Sequence, residues 1–348
     1  MSTPPLVSIV LPAKDQAPFI DDALRSLALQ FPDPGVLQVI MIDDGSTDGT
    51  GELARAHVEH LPRLQVIRNE EAVGLASARN QGFQLAEADA IGFMDGDDWM
   101  ARGHVATLFS ELARLDVDFV RCDHVTVTGG RRALVRAPQG RRAVPLDPRD
   151  SILPETHSTM VDYPYAWAGL FHRRVLTRGL LHFDEGLFTA EDRPWIWRLH
   201  LRADSYAVVE SPGLMYRRGV STSLTQIYDE RQLDFGRSYR LAFDVLRADA
   251  EAERFWPKLA RQFLAICAHH RGRRAAMTPQ LRARQAEVIT AGLSEIPPHV
   301  LREQMAGLDT RRAGLLRPLL PGAAPSRSFL PPRSTRSSRP EMQAGVSA

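Results

Sequence analysis

Asp95, Asp97 and Asp98 of Met94-Asp95-Gly96-Asp97-Asp98-Trp99 form the group of side chains in this sequence best suited to chemistry. They follow Ala90-Ile91-Gly92-Phe93, an apolar run that reads as a buried strand. Like charges this close repel and raise one another's pKa, so a bound cation is their natural complement. A hard divalent ion such as Mg2+ or Mn2+ takes one or two carboxylates and completes its shell with water or phosphate oxygens. An acidic turn after a strand is equally an ordinary solvated loop, so the other motifs must discriminate.

A second acidic loop, Asp43-Asp44-Gly45-Ser46-Thr47-Asp48-Gly49-Thr50, follows Val39-Ile40-Met41-Ile42. With Asp44 placed first it begins like an EF-hand, but the twelfth position is Arg55, where a bidentate Glu is required. Turn and helix-cap chemistry accounts for Ser46, Thr47 and Asp48. It leaves Asp43 and Asp44 unexplained; a carboxylate at a strand end can accept from ribose hydroxyls or a base N–H. Pro12-Ala13-Lys14-Asp15 stands where a dinucleotide fold would carry Gly-x-Gly-x-x-Gly, which disfavours an ordinary dinucleotide enzyme.

Gly74-Leu75-Ala76-Ser77-Ala78-Arg79-Asn80 opens a helix with small residues. Either the backbone amides there approach an anion, with Arg79 reaching phosphate or base, or the small residues serve close helix–sheet packing. Glu191-Asp192, ahead of Trp195 and Trp197, reads as a helix cap or as a general base beside an aromatic acceptor platform. Arg217 and Arg218, after Tyr216, read as a diphosphate clamp or as surface arginines.

These residues need a scaffold, and the first third of the chain supplies its pattern. Val7 to Leu11, Val39 to Ile42, Leu64 to Ile67 and Ala90 to Met94 are short apolar runs separated by helical periodicity, in which Ile20, Leu24 and Leu27 share one face. Alternating buried strands and helices predict a parallel, right-handed βαβ sheet, whose ligands bind at the carboxyl ends of the strands. Lys14-Asp15, Asp43-Asp44 and Asp95 to Asp98 all fall on that edge. A further helix and strand run to Asp123, and Gly129 to Arg149 reads as a surface loop or hairpin. Order resumes over 160–220, helices over 228–308, and a tail from Arg311, rich in Pro, Ser and Arg, is expected to be disordered.

The 348 residues suffice for a large core, and a net charge of +1 gives no reason to expect a nucleic-acid partner. Cys122 and Cys267 have neither disulfide-framework nor zinc spacing, which points to a reducing compartment. No apolar run approaches the ~18 residues of a membrane span. The expectation is a soluble, cytoplasmic protein.

In order along the chain, Val-Ser-Ile-Val-Leu-Pro at 7–12, Asp-Asp-Gly-Ser-Thr-Asp-Gly-Thr at 43–50, Gly-Leu-Ala-Ser-Ala-Arg-Asn-Gln-Gly at 74–82, Met-Asp-Gly-Asp-Asp-Trp at 94–99 and Glu-Asp at 191–192 resemble family 2 glycosyltransferases of the GT-A fold. The resemblance covers about residues 6–220. It implies an α/β GT-A domain over 1–222, with a mainly parallel Rossmann-like sheet, a helical region over 223–310 and the tail over 311–348. It also implies sugar transfer, with inversion, from a nucleotide-diphosphate donor, a UDP-sugar being favoured, to a glycan, lipid-linked or cell-envelope acceptor in polysaccharide biosynthesis.

By that analogy Asp44 contacts base or ribose, and Pro12, Ala13, Asp15, Gly74 and Arg79 line the donor site. Asp95 and Asp97 reach ribose and metal, Asp98 the metal–diphosphate, and Asp192, beside Glu191, is the base. Trp167, in Ala166-Trp167-Ala168-Gly169-Leu170-Phe171, lies in an acceptor-side segment, with Trp195 grouped beside it. Lys14-Asp15 departs from the family's aromatic and amide, and the Gln-x-x-Arg-Trp signature of processive synthases is absent, which implies a single-transfer enzyme. Peripheral contact with the inner face of a membrane and self-association are left open. A non-catalytic nucleotide-sugar or glycan-binding protein on the same fold is the alternative.

Overall fold

The computed structural model describes residues 4–219 and 229–322. The β-branched runs of the amino-terminal third form β1 (Val7–Ala13), β2 (Leu37–Asp44), β3 (Leu64–Asn69) and β4 (Ala90–Phe93). Between them lie α1 (Ile20–Ala28), α2 (Thr50–Arg55) and α3 (Leu75–Gln84). Ile20, Leu24 and Leu27 are buried, the face their spacing predicts. β1 pairs in parallel with β2 and β4, and β2 with β3. Ala13 stands opposite Asp43, so the first two acidic loops leave the sheet side by side.

The rest of the sheet is mixed. β5 (Trp99–Met100), α4 (His104–Leu115), the hairpin of β6 (Phe119–Thr128) and β7 (Arg131–Val135), β8 (Gly169–His172), α5 (Arg173–Thr177), α6 (Asp192–Arg202) and β9 (Tyr206–Arg218) follow. The order is β3-β2-β1-β4-β8-β6-β9-β5, with β7 added to β6. The pairings β4–β8, β5–β9, β6–β7 and β6–β8 are antiparallel while β6–β9 is parallel, so the mainly parallel expectation holds for the first four strands and the sheet is mixed beyond them. β5 and β8 are too short for a periodicity signal, and their direction is set by pairing.

Helices α7 (Asp234–Arg247), α8 (Ala252–Gly272), α9 (Pro279–Glu295), α10 (Pro298–Ala306) and α11 (Thr310–Leu316) complete the described chain. One hydrophobic core runs through both regions, from Val7 to Leu316. The seam is polar and satisfied: Trp197 Nε1 donates to Gln262 at 2.8 Å, Gln262 Nε2 donates to Asp162 at 2.7 Å, and Arg149 binds Asp249 through two hydrogen bonds of 2.8 and 2.9 Å. The helical region therefore reaches beyond residue 310. Asp309 caps α11 by accepting from Arg312 N, and Leu316 is fully buried in the core. Leu316, with Leu319 and Leu320 packed against the core and Ala313 buried beside them, gives this stretch an apolar stripe that its Arg and Pro content conceals. Expectations for 223–228 and 323–348 lie outside the described residues.

Candidate active site

The two loops that leave β1 and β2 are stapled together. Asp15 adopts a positive φ of 51°, and its Oδ1 accepts from Thr47 N at 2.8 Å. Its own N–H donates to Ser46 Oγ, while Gln16 N and Ala17 N donate to Thr50 Oγ1 and Asp48 Oδ2. Buried Asp43 is held by Arg68 at 2.7 Å. Asp44 Oδ1 accepts from Val73 N at 2.8 Å and Asn69 Nδ2 at 2.9 Å, and its Oδ2 accepts from Gly74 N at 2.9 Å. Asp44 thus builds the loop into α3, and its remaining lone pairs are what a donor could use. Pro12 and Ala13 are buried at the end of β1, and Lys14 is exposed.

The aspartate turn folds back onto that strand end. Asp98 N donates to Asp95 O at 3.1 Å. A Cβ at Gly96 would stand 2.9 Å from Ala13 Cβ, so the turn needs glycine where it crosses β1. Asp98 is fully buried; its Oδ1 accepts from Arg217 N at 2.7 Å and its Oδ2 has no partner among the described residues. Burial, then Asp97 and Asp95, push the Asp98 carboxyl well above its ordinary pKa. Burial, then Asp95, bring Asp97 to about 6. An orphaned buried oxygen beside two further carboxylates fits a cation that takes one or two protein ligands, the habit of Mg2+. No group of three or more ligating side chains converges among the described residues.

Arg217 supports this turn. Its Nε donates to Asp97 O at 2.8 Å, its guanidinium pairs with Asp22 at 3.2 Å, and it lies 4.7 and 4.6 Å from the rings of Phe19 and Trp99. Its clamp expectation is therefore corrected: Arg217 grips the protein's own turn. Arg218 is exposed, 5.8 Å from the Tyr216 ring.

Arg79 joins three distant motifs. Buried at the heart of α3, it donates to Asp95 Oδ1 at 3.0 Å and to Glu191 Oε1 at 2.9 Å, and stacks on Phe183 at 5.0 Å. Burial opposes its charge, but Asp95 and then Glu191 outweigh that and hold its pKa above the ordinary value. Both terminal nitrogens are committed to carboxylates, which corrects the reading of Arg79 as a phosphate ligand. Glu191 is buried at the start of α6, and burial raises its pKa despite Arg79. Asp192, the first residue of α6, keeps 26% of its side chain exposed, with Arg193 Nε 3.4 Å away.

Trp195 is no acceptor platform: it is fully buried, stacked on Phe183 at 5.3 Å and edge-on to Phe171 at 5.7 Å. Trp167 belongs to a different cluster, stacked on Tyr165 at 4.7 Å, 5.2 Å from Tyr216 and 4.9 Å from His124. Tyr165, Tyr216 and His124 escaped the sequence reading. The signal was the aromatic run Tyr163-Pro164-Tyr165-Ala166-Trp167, whose rings pack on one another where the chain turns, Ala168 N donating to Tyr165 O at 3.0 Å. After burial, the charge of Asp98 is what most raises the Tyr216 pKa, to about 12, so this floor adjoins the aspartate turn.

The fold is of GT-A type. The structure of S. aureus TarS 1-349 in complex with UDP-GlcNAc is similar with a TM-score of 0.71, 19% identity and 90% of each chain covered. The mannosyltransferase PcManGT from Pyrobaculum calidifontis, in complex with GDP-Man and Mn2+, is similar with a TM-score of 0.50, 20% identity, and 90% of this chain and 79% of that one covered. Residues 8–177, a little under half of the chain, match the family model described as "Glycosyl transferase family 2", and the family resemblance holds over that stretch. The uncharacterized glycosyltransferase EpsJ of Bacillus subtilis (strain 168) is 32% identical over 225 residues, 64% of each protein. The chain thus spans just under two thirds of that relative's length.

Proposed function

We propose that the protein is a metal-dependent, inverting glycosyltransferase that moves a sugar from a nucleotide-diphosphate donor to a hydroxyl of a glycan or lipid-linked acceptor in polysaccharide biosynthesis. The observation that carries this reading is the double ion pair of Arg79. It ties the aspartate turn to the head of α6 and so supports one site containing both donor carboxylates and a base. The UDP-GlcNAc held by TarS favours a UDP-sugar; the GDP-Man and Mn2+ of PcManGT support a divalent cation. Asp97 and Asp98 would hold that ion, which neutralises charge on the departing diphosphate.

Asp192 takes the acceptor hydroxyl's proton as that oxygen attacks the anomeric carbon from the face opposite the diphosphate. The new glycosidic bond forms as the sugar–diphosphate bond breaks, and the nucleoside diphosphate leaves with its electron pair. Glu191, buried against Arg79, positions the helix start that carries Asp192. No helix among the described residues is long and apolar enough to cross a membrane. A lipid-linked acceptor would be met at the inner face of the membrane from the cytoplasmic side.

Thermal shift against UDP, GDP, dTDP and CMP, with and without Mn2+, tests the donor site. UDP with Mn2+ is expected to stabilise the protein by about 2.7 kcal/mol at a hundred times its Kd. A flat response to all four nucleotides overturns the reading. Asp192→Asn is expected to keep that response and to lower turnover ~10²–10⁴-fold; undiminished transfer removes Asp192 as the base.

A further inference from the structure

Strand register places two arginines beside the aromatic floor. Thr128 of β6 stands opposite Arg131 of β7 on one side and Arg218 of β9 on the other. Two residues along, Thr126 stands between Ala133 and Tyr216, and next His124 stands between Val135 and Leu214. Residues opposite one another on neighbouring strands, and alternate residues along one strand, share a face. Arg131 and Arg218 therefore lie on the face that carries Tyr216 and His124, against which Tyr165 and Trp167 pack. Two strand spacings put their backbones about 10 Å apart, close enough for both long side chains to meet one ligand.

Both are exposed, and neither has an ion-pair partner among the described residues. Two nearby arginines are committed, Arg142 to Asp123 at 2.8 Å and Arg217 to Asp22 at 3.2 Å; Arg132 is exposed and unpaired among the described residues too, but its place in the strand puts it on the opposite face from Arg131. Two cations without carboxylates, in one cross-strand row and bordering a stacked tyrosine and tryptophan, are arranged for an anion attached to a ring. The aspartate turn is bonded to Arg217 of β9, whereas Arg131 lies two strands further on, away from where a donor diphosphate would sit.

Resting on the glycosyltransferase reading, we infer that the acceptor carries a phosphate group, held by Arg131 and Arg218, while its sugar ring lies on the half-buried rings of Tyr165 and Tyr216, which buried Trp167 backs. Guanidinium groups suit this task because their planar fork donates to two phosphate oxygens at once.

The test uses the full chain with UDP and Mn2+ present, so that the donor diphosphate site is filled. Saturation-transfer NMR then compares glucose 1-phosphate, methyl α-glucoside and inorganic phosphate. Glucose 1-phosphate is expected to bind at least tenfold more tightly than either of the others, and Arg131→Ala with Arg218→Ala to abolish its advantage over methyl α-glucoside. Equal binding of glucose 1-phosphate and methyl α-glucoside overturns the inference and leaves the arginines as charges guarding an open sheet edge. So does an advantage that survives both substitutions, or inorganic phosphate binding as tightly as glucose 1-phosphate. Arg131→Ala alone is expected to keep the full thermal response to UDP with Mn2+. Absence of that response in the unaltered protein counts against the glycosyltransferase reading, whereas its presence with no phosphate preference counts against this inference alone.

Discussion

Arg79 and Asp98 are buried charges with opposite circumstances. Arg79 meets two carboxylates, so removing it would leave Asp95 and Glu191 facing each other without a cation, the situation in which breaking a buried pair is strongly destabilising. Asp98 has one backbone donor on one oxygen and nothing on the other. Its ionised form is a cost to the folded protein that ligand charge is expected to relieve. Asp98→Asn should therefore stabilise the metal-free protein by on the order of 1 kcal/mol, roughly 2–4 °C in melting temperature, while abolishing transfer and the Mn2+-dependent response to UDP. Scanning fluorimetry of both proteins in chelator, then with UDP and Mn2+, reads each part. A lower melting temperature in chelator would mean that the carboxylate is chiefly a structural acceptor for Arg217.

At the scale of elements, α3 shows why its small residues are there. Ala76 and Ala78 are buried, and a Cβ at Gly82 would fall 2.3 Å from Val10 Cγ1 and 3.2 Å from Val10 Cβ. Valine is stiff at χ1 and cannot turn aside. The amide of Gly74 is already used by Asp44, so of the two readings of this helix start, packing is the one the geometry supports. Gly82→Ala should cost about 1–3 kcal/mol, seen as a lower urea midpoint. Because α3 carries Arg79, its displacement should also weaken the UDP response; full stability with a full response would show that the helix can slide freely. The start of α3 was legible, a helix opening at Gly74 being expected and Leu75–Gln84 found with Gly74 as its cap. β5 and β8 were not legible as sheet members, since two and four residues carry no period of their own.

Across the whole molecule, one core joins sheet and helices, and it encloses several histidines. Burial brings His104, His124 and His270 to about 4 and His200 to about 3. In the unfolded chain these side chains titrate near 6.5. Between that pH and about 4 the unfolded state binds protons that the folded state does not, so stability declines as pH falls through this window. Asp97, Asp98 and Glu191, whose folded pKa values are raised, act in the opposite sense as pH falls. The four histidines are expected to prevail, with a lower urea midpoint at pH 5 than at pH 7. The decline should be steeper in Asp98→Asn, which lacks one of the opposing groups. A midpoint independent of pH across that range would mean that the rings are hydrated.

The βαβ beginning, the carboxyl-edge location of Asp44 and Asp95 to Asp98, and the family resemblance were determined by the sequence itself. Each rests on residues close together in the chain: apolar runs, turn residues and short motifs whose order is distinctive. Long-range pairing decided the rest. Glu191 meets Arg79 across 112 residues of separation, Arg217 turns inward to the aspartate turn, and Trp195 faces the core while Trp167 lines a different cluster. A charged or aromatic side chain shows its chemistry in the sequence but not its partner. Whether it binds a ligand or braces the protein depends on what the fold brings within hydrogen-bonding distance.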